Sequence, residues 1–574
     1  MPAPSNIVGI KNDPQAVQSV RDFFGENTEM ATKRLERGKL KKTELKMGKK
    51  PARSHASNEP RAPIVLSLKE RAALGVGRKG RRTMLFLDLW RLDHMSNIAH
   101  CQSVPEYHPE ADYTDPHTLN SGGGVIHFHK PSGLWRRIMV TSEGKVFVNE
   151  SEDGIRWRPS PQPGVIPEGG KDAPHHVATV GRGIASSLYL DPVADDGFPF
   201  KFIYRQDNEQ VYERAMKDKR HPWHRAADQV GRARPYMKEE MMLCSPDGLH
   251  WEMRRDYAWG QPQWHPEEPY FLFFNPFTKK HTMTCRPGWG DRRVCIQTTE
   301  DFKTWSGPRL EFQPDANDTD ELPEYYAMPV VQYGHYFLGF IWHCHFSSAA
   351  QPTFGVRFEG PTDSLLTYSF DGVRFFRGKR KPFIPNNPPG QPGCGQLRPE
   401  GIVVNDKEIR IYSNSTRAIH GGEAHMPDAL KPVNKVGLMH TLRKDGWTYL
   451  TTKGDWGYFT TKKLVFFDGQ MTLNAMAPLG EIHYQLLDWK AREIIPGFSF
   501  EDCIPFKNAD ALAHPLQWKN HPSLDAVVGR GVRLQIRMRG ARLYAFHADY
   551  HFMDAQDMWM LDDHLPIDTT WFDY

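Results

Sequence analysis

The sequence has no Cys-x-x-Cys pair, no apolar run long enough to cross a membrane as a helix, and no leader-like start. Its seven cysteines are an odd number scattered singly. That argues against a disulfide framework or a cysteine zinc site and for reduced thiols. The opening "MPAPSNIVGIKNDPQAVQSV" has no charged segment followed by an apolar one, so no secretory signal is expected. A cytoplasmic chain without a membrane partner is the resulting expectation. G-x-S-x-G, P-loop and H-E-x-x-H motifs are missing as well, which removes the commonest esterase, nucleotide and zinc-protease chemistries.

Charge is nearly balanced overall, at +4, but unevenly spread. Residues 1–83 hold 19 Lys/Arg against 8 Asp/Glu, so the rest of the chain is net acidic. The basic arm, densest in "KRLERGKLKKTELKMGKK", reads as a solvated, partly helical or disordered tail over 1–81. No aromatics interleave its lysines, which argues against nucleic acid as a partner.

What the chain does have is a recurring seven-residue box. "SEDGIRW" (151–157) returns as "SPDGLHW" (245–251), "TEDFKTW" (299–305) and "SFDGVRF" (369–375), with a looser echo in "RKDGWTYL" (443–450). Asp-Gly accepts the left-handed backbone of a tight turn, and the Ser or Thr can bond back to it. Asp153, Asp247, Asp301 and Asp371 are therefore read as turn residues. A β-patterned run leads into each box, as in "RVCIQTTEDFKTW" (293–305), and two more apolar runs joined by a turn precede it, as in "PYFLFFNPFTKKHTMTC" (269–285). Five repeats of three strands, a box and a short outer strand predict an all-β, five-bladed β-propeller with blades near 112–165, 180–260, 264–315, 321–385 and 396–452. The propeller is placed at 82–452. Longer alternating strands such as "GVRLQIRMRGARLYAFHADYHF" (531–552) predict a β-sandwich over 453–552, followed by a tail at 553–574.

Propellers bind ligands where the inner strands begin, so polar residues there are the candidates. Blade 1 offers Asp112, Asp115, His117 and Asn120; blade 2 offers Arg182. Blade 3 offers Trp264, His265, Glu267 and Glu268, with Arg286 following. Blade 4 offers Glu321, Glu324, Tyr325 and Tyr326; blade 5 offers Arg398 and Glu400. Carboxylates from four blades point to acid–base chemistry such as glycoside hydrolysis, since like charges in a cleft force one group to keep its proton. No cofactor is expected, although the same acids leave room for a structural divalent cation in the funnel. "IWHCHF" (341–346) puts His343 and His345 on one face of a strand, but spacing shows no third metal ligand. Buried or hydrogen-bonded histidines are the commoner reading.

"HPEEPYFLFFNPFTKKHTMTCRPGWGDRRVCIQTTEDFKTW", "PEYYAMPVVQYGHYFLGF" and "GRGVRLQIRMRGARLYAFHAD" resemble bacterial five-bladed propeller proteins of the glycoside hydrolase family 32/43-like type, which carry a C-terminal sandwich. The resemblance covers about residues 82–552. It implies a glycosidase acting on an oligo- or polysaccharide, a furanoside among them. By position in that pattern Glu267, Arg286 and Glu324 match family residues. Two stretches depart from it: "YTDPHTLNSGG" stands where family-32 enzymes carry W-x-N-D-P-N-G, and "YLDP" (189–192) stands for R-D-P, with Asp191 expected in an outer turn. The expected catalytic set is Glu267 and Glu324, with Asp115 as third acid and Glu268 able to exchange with Glu267. Arg286 and His265 are expected to hold one carboxylate ionised. A carbohydrate-binding propeller without catalysis and a protein-interaction scaffold are the rival readings.

Overall fold

The computed structural model describes residues 82–553, except 116, 118–123, 142–143, 181–183, 208–237, 255–256, 258–266, 287–291, 319–321 and 347–358, together with 558–559. The basic arm lies outside the described residues. Within 82–553 the described chain is all-β, interrupted only by short 3₁₀ helices of three to six residues.

Five antiparallel units follow in order. Blade 1 runs from Val125–His129 through Leu134–Val140 and Lys145–Ser151 to Arg158–Pro159, with His176–Thr179 also paired to its third strand. Blade 2 comprises Ile184–Leu190, Phe200–Asp207, Lys238–Ser245 and Glu252–Arg254. Blade 3 comprises Glu267–Asn275, Lys280–Arg286, Val294–Thr299 and Arg309–Phe312. In blade 4 the inner edge is split into Leu322–Ala327 and Val330–Tyr333, followed by Tyr336–Phe346, Thr362–Ser369 and Phe376–Ile384. Blade 5 uses Gln396–Val404, Glu408–Thr416 and Lys435–Arg443.

The boxes are turns, as their chemistry dictates. Asp153 Oδ1 accepts from the backbone N–H of Ile155 and Arg156, and Ser151 Oγ accepts from Gly154 N–H. The same three bonds recur at Asp247, Asp301 and Asp371. Gly154, Gly248 and Gly372 sit at φ between 68° and 79°; Phe302 takes the same corner at φ 57°.

Each box also docks on the blade before it. Asn275 of blade 3 donates to the Asp371 carbonyl at 2.8 Å, and the Gly248 corner lies against Ile138 of blade 1. Phe302 and Trp305 enter the blade 2 core beside Tyr189 and Ile203. In the first box, Tyr412 of blade 5 donates to the Gly154 carbonyl at 2.6 Å, so the last blade meets the first and the ring closes.

Two strands depart from the expected arrangement. The outer strand of blade 5 is not "TYL" but Glu106–Tyr107, which precedes blade 1 in sequence and pairs with Thr441 and His440. Thr448–Thr452 instead pairs with Ile98–Gln102 and with Arg542–Phe552. The segments Arg82–Leu85, Leu92–Ser96 and Ile98–Gln102 thus all lie in the C-terminal nine-stranded sheet. The reason is pairing demand: blade 5 needs one edge strand, and a strand contributed from the other end of the chain staples the ring shut. The C-terminal sheet, whose longest strand is Leu464–Asp488, encloses its own core of alternating side chains, among them Leu473, Tyr484, Ile536, Phe546 and Trp518. Its joint with the propeller is the fifth box. Asp445 (φ 62°) accepts from Tyr333 Oη of blade 4 at 2.7 Å and bonds His547 of the C-terminal sheet at 2.8 Å.

Two expectations follow. Gly372 and Gly133 share φ 68°, but a Cβ at Gly372 would lie 2.6 Å from Asn275 Nδ2 and 2.9 Å from Phe337, whereas Gly133 has open space. Gly133→Ala should cost about 1 kcal/mol from backbone strain alone. Gly372→Ala should cost about 2 kcal/mol more from the inter-blade clash, measured by denaturant unfolding. The second concerns acid. His440 is buried, and His100 and His127 half-buried, as neutral imidazoles, desolvation pulling each pKa down to about 4. An unfolded imidazole titrates near about 6.5, so the unfolded chain binds more protons and stability falls as pH drops from there toward 4. His440 lies beside Tyr107 at the ring closure, ring centroids 5.4 Å apart. His440→Gln should flatten the slope of melting temperature against pH in that window, and an unchanged slope would contradict the assignment.

Candidate active site

Two polar groups surround the starts of the inner strands. The first joins blades 1 and 5. Asp115 is buried and receives His175 Nε2 at 2.8 Å, the His117 backbone N–H at 2.9 Å and Tyr113 Oη at 3.4 Å. Burial alone would raise its pKa, but the bonds from His175 and His117 outweigh that and hold the carboxyl below its usual range. Tyr113 Oη also donates to Asn149 Oδ1 at 2.7 Å. The His117 ring stacks on Phe147 and stands edge-on to His175.

Across this group, on the inner strand of blade 5, Glu400 behaves in the opposite way. The residue keeps partial exposure, yet its carboxyl is enclosed, and burial raises its pKa to about 7. The Arg137 charge, the Gly124 backbone N–H and Arg398 oppose the shift without cancelling it. Arg137 is itself buried; burial lowers its pKa while Glu400 and Tyr113 raise it. Close approach is possible because Gly437 lacks a side chain: a Cβ there would stand 2.7 Å from Arg137 Nη1.

The second group joins blades 3, 4 and 5. Glu324 is 4% exposed and accepts from Arg292 Nη1 at 2.9 Å. The guanidinium groups of Arg286, Arg292 and Arg398 lie 4.6, 4.9 and 5.4 Å from the centre of the Tyr326 ring, which stacks on Trp342. Guanidinium over an aromatic face is a favourable contact and spaces the like charges apart. Lys435 is held down to about 8 by burial first and then by Arg398.

The structure therefore brings together Asp115 with His117, and Glu324 with Arg286 and Arg398 around Tyr326. It places Tyr325 elsewhere. That side chain is fully buried between blades 3 and 4, its hydroxyl bonded to Asp318 and Arg377, so it is no sugar platform. A one-residue alternation puts Tyr326 on the axis side instead. Glu324 has an ion-pair partner in Arg292, a residue outside the expected set. Asp191 sits in the hairpin between the first two strands of blade 2, buried and 3.0 Å from Lys201 Nζ. Asn120, Arg182, Trp264 and His265, and the side chains of Glu267 and Glu268, lie outside the described residues; the Glu267 backbone pairs with Arg286.

Sequence reasoning missed His175, Arg137 and Arg292. Arg137 had a signal: a charge in the middle of the apolar strand "LWRRIMV" requires a buried partner. His175 and Arg292 lie in connecting stretches with no such pattern.

No family model matches the chain, and no curated protein does. Solved structures that align with it include an N-acetylgalactosamine deacetylase from F. plautii in complex with blood group B trisaccharide, 13% identical over 61% of this chain and 96% of the other, with TM-score 0.37. A thermostable family-43 glycoside hydrolase is 11% identical over 60% and 96%, TM-score 0.36. An alpha-L-arabinanase of Penicillium chrysogenum complexed with arabinobiose is 12% identical over 60% and 98%, TM-score 0.32. Likeness at this level carries no argument here; the fold rests on the strand pairing above.

Glu324→Gln keeps the shape of the group but removes the charge facing Arg292. The expected loss is about 3 kcal/mol of folding stability. Chemical unfolding of the two proteins checks this, and equal midpoints would show that the pair contributes nothing.

Proposed function

We propose that the protein is a glycoside hydrolase that cleaves an oligo- or polysaccharide, furanosides included, with paired carboxylates in the propeller funnel. The observation that supports this most directly is the opposite treatment of Glu400 and Asp115. One carboxyl is raised to about 7 by burial, and the other is held ionised by His175 and a backbone N–H. Two carboxyls driven apart in pKa are what a glycosidase needs: a protonated acid for the leaving oxygen, and a carboxylate to act as base or nucleophile. In this reading Glu400 is the acid, in place of the expected Glu267–Glu324 pair, and Asp115 is the carboxylate. Glu324, tied to Arg292, and the Tyr326–Trp342 stack border the sugar.

The mechanism sets the sign of the pH profile. Glu400 must carry its proton to donate it, so kcat falls as pH rises through about 7. Against a panel of aryl glycosides and natural glycans, Glu400→Gln should lower kcat by about a hundredfold or more. Asp115→Asn should do likewise, while Asp153→Asn, in a turn of blade 1, should not. Parental turnover by Glu400→Gln would remove it from the mechanism. Sugar binding by the parent protein without turnover of any panel member would favour the carbohydrate-binding propeller instead.

A further inference from the structure

The histidines of "IWHCHF" acquire in the fold the third partner that their spacing could not show. His343 and His345 lie on Tyr336–Phe346, the second strand of blade 4, and alternation puts both on one face. Asp363, on the third strand, stands directly opposite His343 in the register, so its carboxyl shares that face. Trp342 and Cys344 point the other way, and Glu324 is paired opposite Cys344. The trio thus occupies the side of the blade turned from the Glu324 group, toward the core shared by Tyr325, Ile341 and Leu365 with blade 3.

One ligand atom from each of the three lies within 4.8 Å of the others. His345 Nε2 is 2.9 Å from Asp363 Oδ2, and His343 Nδ1 is 3.7 Å from Asp363 Oδ1. A cation bound at about 2.0–2.2 Å to each ligand in tetrahedral geometry separates them by about 3.3–3.6 Å. The observed distances bracket that range, so small side-chain rotations suffice. The longer contact is beyond hydrogen-bond reach, and Asp363 Oδ1 is a buried carboxylate oxygen with no hydrogen-bond donor. Such an oxygen is costly to bury unless a cation faces it. The side chains of His343 and Asp363 are 8% and 7% exposed, whereas that of His345 is 28% exposed, which opens a path for an ion and a position for water.

We propose that His343, His345 and Asp363 bind a first-row divalent cation, with Zn²⁺ the best match to two imidazoles and one carboxylate. The ion ties the second strand of blade 4 to the third and leaves its remaining coordination to water. The site is independent of the glycosidase reading, being on the other face of the blade.

The test uses the full chain, stripped with a chelator and titrated with ZnCl₂ alone by calorimetry, with bound zinc counted by elemental analysis. One ion per chain is expected, with a rise in melting temperature on binding. His345→Ala, at the exposed corner, should weaken binding by about a hundredfold or more and abolish the thermal shift. Asp363→Asn should do the same while keeping the parental far-UV circular dichroism. Absence of zinc binding by the parent protein overturns the proposal. So does equal affinity in parent and both variants, which would put the ion elsewhere.

Discussion

The ring depends on the docking of each box onto the preceding blade. Within a box, one aspartate oxygen takes two backbone N–H groups and a Ser or Thr hydroxyl takes a third, which leaves the corner rigid and nearly side-chain-free. A rigid, small corner can approach a neighbouring sheet closely, as at Gly372 against Asn275 and Gly248 against Ile138. Because such a corner follows the third strand in each of blades 1 to 4, and Asp445 meets Tyr333 of blade 4 after the third strand of blade 5, repeated local contacts turn a row of sheets into a closed circle. The left-handed Phe302 shows where the pattern can bend: the corner tolerates a bulky residue when its ring has a core to enter.

Closure has a consequence for charge. Bringing the ends of five inner strands together concentrates Arg137, Arg286, Arg292 and Arg398 with Asp115, Glu324 and Glu400 around one axis. Such a cluster is tolerable only if each charge is neutralised, solvated or given up. Each outcome occurs: Glu324 is ion-paired, Asp115 is hydrogen-bonded, and Glu400 has moved toward its neutral form. The raised pKa of Glu400 is thus an energetic consequence of the packing.

The blades and the turn role of the boxes were legible because both rest on local chemistry: alternation, Asp-Gly corners and a repeated spacing. The partner of blade 5's last strand was not, because Glu106–Tyr107 is two residues long and lies more than three hundred positions from His440 in the chain. Alternation was also the weak point at the site. Tyr325 and Tyr326 are indistinguishable by type, and the shift in pairing between Tyr325 and Ala327 decides which of them faces the axis. Asp363 escaped notice for a similar reason: His343 and Asp363 are adjacent only through strand register, and nothing local links "HCH" to "TDS".

The proposal of Glu400 as proton donor turns on what raises a carboxyl pKa. Convergence of like charges does so weakly when arginines stand nearby, since each guanidinium offsets a carboxylate. On the side of blades 3 and 4, three arginines gather around the Tyr326 ring and bring positive charge beside Glu324. Glu400 also faces an arginine, but Arg137 is itself buried, and the desolvation of the carboxyl exceeds the attraction. Burial, and not the number of acids around the axis, therefore accounts for the raised pKa of Glu400. The residue to test first is the one whose charge the fold has removed from water, even though its sequence context, "LRPEGIVV", marks it as no more than the start of a strand.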